Sequence, residues 1–125
     1  MTFLSMLAPV AEDLGRVDDL IRKRLASDVA LVSQVAEYIV ASGGKRLRPA
    51  LLLLASGAAG YRDRAAQAVD ARLELAAVVE FIHTATLLHD DVVDESKLRR
   101  GRNTANAAFG NAAAVLVGDF LYSRA

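Results

Sequence analysis

The sequence predicts an all-α fold. Three observations carry that expectation: proline is confined to Pro9 and Pro49, alanine and leucine recur throughout, and no stretch alternates apolar with polar residues as a half-buried strand would. A chain of 125 residues is the size of one ordinary domain, and it contains no internal repeat or linker-like tract.

The helices follow in order. A first amphipathic helix is expected from about Pro9 to Ala26, with Val10, Leu14, Val17, Leu20, Ile21 and Leu25 on one stripe. Asp28 reads as the N-cap of a second, which runs to about Ala41 and is ended by Ser42, Gly43 and Gly44. A third opens near Pro49, where a missing N–H costs nothing, and continues to about Ala59 before a turn at Gly60 and Tyr61. The fourth and longest spans about Ala65 to Val93. From Leu73 onward it is apolar on nearly every side, interrupted by Glu80, His83, Thr84 and Thr86, and such a helix has to be enclosed by others. Glu95 to Asn103 reads as a polar, basic loop, Asn103 to Phe109 as a short helix, and Asn111 as the start of a last one. That last helix is still strongly apolar at Phe120, Leu121 and Tyr122, and so few helices would enclose the fourth poorly. The expectation is the N-terminal portion of a larger helical protein.

Composition narrows the function classes. A hydrophobic content of 54% with zero formal net charge calls for a packed core and argues against a nucleic-acid-coating role. Without cysteine there is neither a disulfide framework nor a thiolate metal site. The longest uncharged apolar run, Pro49 to Tyr61, is too short to span a bilayer, and Met1 to Val10 lacks the basic start of a signal peptide. A cytoplasmic protein without a transmembrane segment is expected.

The chemistry concentrates in Leu87 to Gly101, LLHDDVVDESKLRRG. On a helix, Asp90 and Asp94 lie about 40° apart around the axis and roughly 6 Å apart along it, so both carboxylates can reach one site. Mg²⁺ takes oxygen ligands and commonly only one or two carboxylates, leaving room for water and phosphate. Arg99, Arg100 and Arg102 follow closely; they could merely neutralise Asp90, Asp91, Asp94 and Glu95, or grip an anion carried by a metal. A second cluster, GGKRLRP from Gly43 to Pro49, places Lys45, Arg46 and Arg48 at a helix start, where the macrodipole is already positive. An anion would resolve that conflict; solvated surface charge is the plainer alternative. His83, about two turns below Asp90 and near the same face, reads by itself as a satisfied core histidine. His89 faces about 100° from Asp90, and the spacing offers no pair of histidines for zinc.

These segments together, GGKRLRP, FIHTATLLHDDVVDESKLRRG and GDFLYSRA, resemble the N-terminal half of the trans-isoprenyl diphosphate synthases, and within that family the octaprenyl-type long-chain enzymes of bacteria. The resemblance implies an isoprenoid synthase-type helical bundle whose aspartates face a deep central cavity. It implies Mg²⁺-dependent head-to-tail condensation of an allylic diphosphate with isopentenyl diphosphate, usually by a homodimer. On this resemblance Asp90 and Asp94 hold Mg²⁺, with Asp91 in the same motif, and Arg99 binds the allylic diphosphate. Lys45, Arg48, His83 and Arg100 bind isopentenyl diphosphate. Ala85 and Thr86 occupy the positions where bulky aromatics stop chain growth in the family, so their small size implies a long product. Ala85 points about 140° from Asp90, and helical periodicity alone would not single it out.

One departure matters. The family's second aspartate-rich motif is absent, since only Glu95 and Asp119 follow Asp94, so the chain as written is expected to be nearly inactive alone. The rival readings are a non-catalytic partner subunit, a shorter-chain farnesyl or geranylgeranyl synthase, and a plain helical bundle whose charges pair among themselves.

Overall fold

The computed structural model describes residues 2–41, 46–60, 71–99 and 101–125. Its elements are α1 (Phe3–Leu7), a 3-10 turn (Ala8–Val10), α2 (Ala11–Leu25), α3 (Ala30–Ala41), α4 (Leu47–Ala58), α5 (Ala71–Val93), β1 (Leu98–Arg99), β2 (Arg102–Asn103), α6 (Ala105–Phe109) and α7 (Asn111–Arg124). The all-helical expectation holds in every long element. The expected start of the long helix at Ala65 and the glycine stop after Ala41 lie outside the described residues.

Local chemistry explains the boundaries. α1 precedes the first expected helix and is closed by a reciprocal cap: Thr2 Oγ1 accepts from the Ser5 amide at 3.1 Å, and Ser5 Oγ accepts from the Thr2 amide at 3.0 Å. Pro9 sits in the 3-10 turn that follows, so the stretch expected as one helix from Pro9 is a 3-10 turn feeding α2. α2 carries Glu12 and Asp13 in its first turn and Arg22, Lys23 and Arg24 in its last, matching its dipole. α3 begins at Ala30, and Ser27 rather than the expected Asp28 takes an amide, that of Val29 at 3.1 Å. α6 begins after Thr104, whose hydroxyl accepts from the Ala107 amide at 3.3 Å.

The expected basic loop is instead a minimal hairpin. β1 and β2 pair antiparallel, with Leu98 opposite Asn103 and Arg99 opposite Arg102. Gly101, at φ 75°, supplies the positive φ that so tight a turn needs. Strands of two residues are too short to display alternation, which is why composition alone suggested a loop.

α5 is the axis of the molecule, packed against α2, α4, α6 and α7. Leu73, Ala76, Ala77, Glu80, Phe81, Ala85, Leu88 and Asp91 form its buried face at helical spacing. Ala50 on α4 and Ala114 on α7 are fully buried with Ala76 and Ala85, because small side chains let neighbouring helices approach closely. The charged flanks tie α2 outward, through Arg22 to Glu37 on α3, Arg24 to Glu74 and Asp13 to Arg72 on α5. The opposite face of α5 leaves Leu75 and Ile82 exposed, so the apolar helix is enclosed on one side only among the described residues. No described helix is long and apolar enough to cross a membrane.

Neighbouring leucines on α4 give a direct check on this packing. Leu53 is 1% exposed and Leu51 is 55% exposed. Leu53→Ala is expected to cost about 2–5 kcal/mol in urea unfolding, whereas Leu51→Ala should change it by less than about 0.5 kcal/mol.

Candidate functional site

The site is built on the last turn of α5. Successive helical residues are rotated by about 100°, so adjacent aspartates cannot face the same way. Asp90 and Asp94 are exposed and Asp91 is buried. The helix ends with Glu95 in the left-handed region at φ 55°. The Ser96 amide returns to the Asp91 carbonyl at 2.9 Å and the Glu95 amide to the Val92 carbonyl at 3.2 Å. This is a Schellman closure with glutamate where glycine is usual, a conformation that costs a non-glycine residue about 1–2 kcal/mol.

That closure aims the hairpin back at α5. Arg99 donates from Nε to Asp91 Oδ2 at 3.1 Å and from Nη2 to Asp91 Oδ1 at 2.5 Å, a two-point pair. Hydrogen bonding to Asp91 pushes the Arg99 pKa up, partial burial opposes this, and the charges of Asp91 and Asp90 reinforce the rise. A raised cationic pKa stabilises the fold at every pH below the ordinary arginine value and is lost only above it. No working pH therefore releases Arg99 by deprotonation. Further bonds fix the segment: Thr104 Oγ1 donates to the Ser96 carbonyl at 2.8 Å, and Asn106 Nδ2 to the same oxygen at 2.9 Å. Tyr38 on α3 donates its hydroxyl to the Asn103 carbonyl at 2.6 Å and lies 5.0 Å beneath the Arg102 guanidinium.

A cavity of about 90 Å³ opens between these groups and α2 and α3. Ile21, Leu25, Ile39, Val40 and Phe81 form its apolar wall, and Arg46, Glu80, His83, Thr84, Asp91, Arg99 and Arg102 its polar one. Arg48, on α4, meets His83 Nε2 at 3.1 Å. Guanidinium only donates, so that nitrogen is the acceptor in this arrangement.

The basic cluster at the start of α4 divides. Arg46 is not available to an anion as the sequence suggested for all three cations: its guanidinium is held by Asp18, Glu80 and the Val40 carbonyl. Arg48 is exposed beside His83, and Lys45 lies outside the described residues, as does Arg100. Ala85 is fully buried in the core rather than facing the cavity. Thr86 is half-buried on the Asp90 side, its hydroxyl donating to the His83 carbonyl at 2.7 Å.

His89, set aside on spacing, has a packing partner that periodicity did not reveal. Its Nε2 lies 3.2 Å from the Val115 carbonyl and 3.4 Å from Asp119 Oδ1, and a β-carbon at Gly118 would collide with the ring. A glycine inside an apolar helix is the available sequence signal for such an approach.

Could this site hold a divalent cation? Asp90 and Asp94 project from adjacent turns, and neither has a hydrogen-bond or ion-pair partner among the described residues. No cluster of three or more histidine, aspartate or glutamate side chains is preformed among the described residues. Two unpaired carboxylates without imidazole fit a hard cation that keeps water and substrate ligands, and do not fit zinc.

The polyprenyl synthetase family matches residues 29–125. Octaprenyl diphosphate synthase of Escherichia coli is 57% identical over 92% of this chain, which covers 34% of that enzyme. The all-trans-nonaprenyl-diphosphate synthase of Rhodobacter capsulatus is 54% identical over 96% of the chain, covering 35% of its length. A crystal structure of polyprenyl synthase from Caulobacter crescentus, complexed with calcium and isoprenyl diphosphate, superposes with a TM-score of 0.84. It is 51% identical, and the match covers 94% of this chain and 34% of that one. The chain thus spans about a third of the length of the relatives it matches.

The different roles of adjacent aspartates are measurable. Asp91→Asn should lower stability by about 1–3 kcal/mol, towards the lower end because the Arg99 side chain is 39% exposed. Asp90→Asn should shift it by less than about 0.5 kcal/mol, both read from urea midpoints.

Proposed function

Because this chain belongs to the polyprenyl synthetase family, we propose that it is the N-terminal part of a single prenyltransferase domain that joins an allylic diphosphate to isopentenyl diphosphate. Repetition would build a long-chain, octaprenyl-like diphosphate, as the names of its relatives suggest. The observation that carries this reading is the pair Asp90 and Asp94 at the C-terminal end of α5, without a side-chain hydrogen-bond or ion-pair partner among the described residues, with His83 and Arg48 about two turns below.

Each side chain has a distinct task. Asp90 and Asp94 would hold Mg²⁺, which supplies positive charge to the departing diphosphate. Arg99, already charged and anchored on Asp91, faces the same leaving group as its charge develops. Lys45, Arg48, His83 and Arg100 hold the diphosphate of isopentenyl diphosphate. When the allylic C–O bond breaks, its electron pair leaves with the diphosphate. The isopentenyl double bond then forms the new C–C bond, and a proton lost from the adjacent carbon passes to the released diphosphate. No side chain acts as a nucleophile.

The growing prenyl chain is proposed to lie along the exposed face of α5, where Ile82 and Leu75 continue below Asp90 and Thr86. Water excluded from that face cannot quench the allylic cation. The small side chain of Thr86, half-buried on the Asp90 side, leaves length for a long product, whereas Ala85 is turned into the core. Assembly as a homodimer in the cytoplasm completes the proposal.

Thermal melting tests it without requiring turnover. Mg²⁺ together with farnesyl thiodiphosphate should raise the midpoint by at least about 4 °C, the effect of about 1 kcal/mol of binding in a domain of this size. Asp90→Ala and Asp94→Ala should each abolish the rise, and so should EDTA. An equal rise in EDTA, or one that survives both substitutions, would sink the proposal.

A further inference from the structure

We propose that Arg46 and Glu80 form an inner brace that positions the anion subsite of Arg48 and His83 without touching the anion. The inference rests on the reading that Arg48 and His83 hold a diphosphate.

The two pairs are rungs between the same two segments. Arg46 stands just before α4 and Arg48 in its first turn; Glu80 and His83 lie about one turn apart on α5. The outer rung joins Arg48 to His83 at 3.1 Å and is open to solvent. The inner rung joins Arg46 Nη1 to Glu80 Oε1 at 3.0 Å, with Glu80 only 8% exposed. Arg46 also donates from Nε to Asp18 Oδ1 at 3.0 Å and from Nη2 to the Val40 carbonyl at 3.2 Å. One guanidinium thus ties α2, the end of α3 and the middle of α5 to the start of α4.

Three features show that this is a brace rather than a ligand. Two carboxylates already neutralise the guanidinium, so it offers an anion no net charge. Its backbone is left-handed, φ 53° and ψ 41°, a conformation the surrounding bonds must hold in place. Glu80 is a buried acid among the apolar side chains Ala76, Ala77 and Phe81 of α5, and without Arg46 it would be left unpaired. Lysine could replace the charge but not the three directed bonds.

The sign of one substitution separates the roles. Removing a negative charge near an anion subsite tightens anion binding if only electrostatics operate, so Glu80→Gln should help if Arg46 is a ligand. Positioning requires the opposite. We expect Glu80→Gln and Arg46→Lys each to weaken inorganic pyrophosphate binding by about 5–10-fold, read from the His83 ring resonances by NMR in EDTA. Asp18→Asn, at a half-exposed partner that leaves folding intact, should weaken it by about 2-fold. Leu53→Ala, destabilised elsewhere, should keep the wild-type affinity while folded.

Unchanged or tighter binding in Glu80→Gln or in Asp18→Asn would overturn the brace. So would an equal loss in Leu53→Ala, which would reduce it to general stability. Arg48→Met serves as the control on the subsite. If it leaves pyrophosphate affinity unchanged, the diphosphate reading itself has failed, and the brace fails with it.

Discussion

The pairing of Asp91 with Arg99 holds the end of α5 to the hairpin, and the groups around the site take their places from it. A carboxylate buried among apolar side chains must be paired to stay charged, and the two-point geometry also fixes the direction from which the hairpin approaches. Once Asp91 is committed inward, the helical step of about 100° turns Asp90 towards solvent, and Asp94, just past the last residue of α5, is exposed as well. The inward acid is committed to Arg99, and the outward carboxylates make no hydrogen bond or ion pair among the described residues, although the charge of Asp90 acts on Arg99. A compact acidic motif thereby separates into one paired acid and two exposed ones.

The same division recurs at the basic cluster. Arg46 is spent on Asp18, Glu80 and a helix-terminal carbonyl, while Arg48 stays at the surface beside His83. In both clusters the charged group that is satisfied within the protein lies next to one that is presented outward. A site for a highly charged ligand needs cations that do not collapse onto nearby acids, and inner pairs that consume some of those acids help to provide them. The left-handed backbone at Arg46 and at Glu95 fits this picture, since both stand where the chain is turned towards the site.

Packing of α5 explains how an apolar helix can serve chemistry. Its alanine-rich face meets α4 and α7 closely, whereas Leu75 and Ile82 remain uncovered on the side that leads up to Asp90. An apolar surface beneath a carboxylate pair is costly to leave in water and useful for a hydrocarbon. His89 secures the opposite side of the same turn by fitting against Gly118 on α7, which limits how far the acidic end can shift.

The sequence by itself determined the helical class, the order of the long helices, the buried stripe of α2 and the family, because these follow from periodicity and from motifs contiguous in the chain. It located Asp90, Asp94, Arg48 and His83 as the residues to examine, and their helical register followed from spacing. Only the tertiary structure decided which charges were already spent. Asp18 and Glu80 lie far from Arg46 in sequence, as Gly118 does from His89, and no local pattern records those pairings. The minimal hairpin was equally illegible, because strands so short have no period to read. Register along one helix is a local property of the backbone, but the partner of a buried charge is set by which helices pack together.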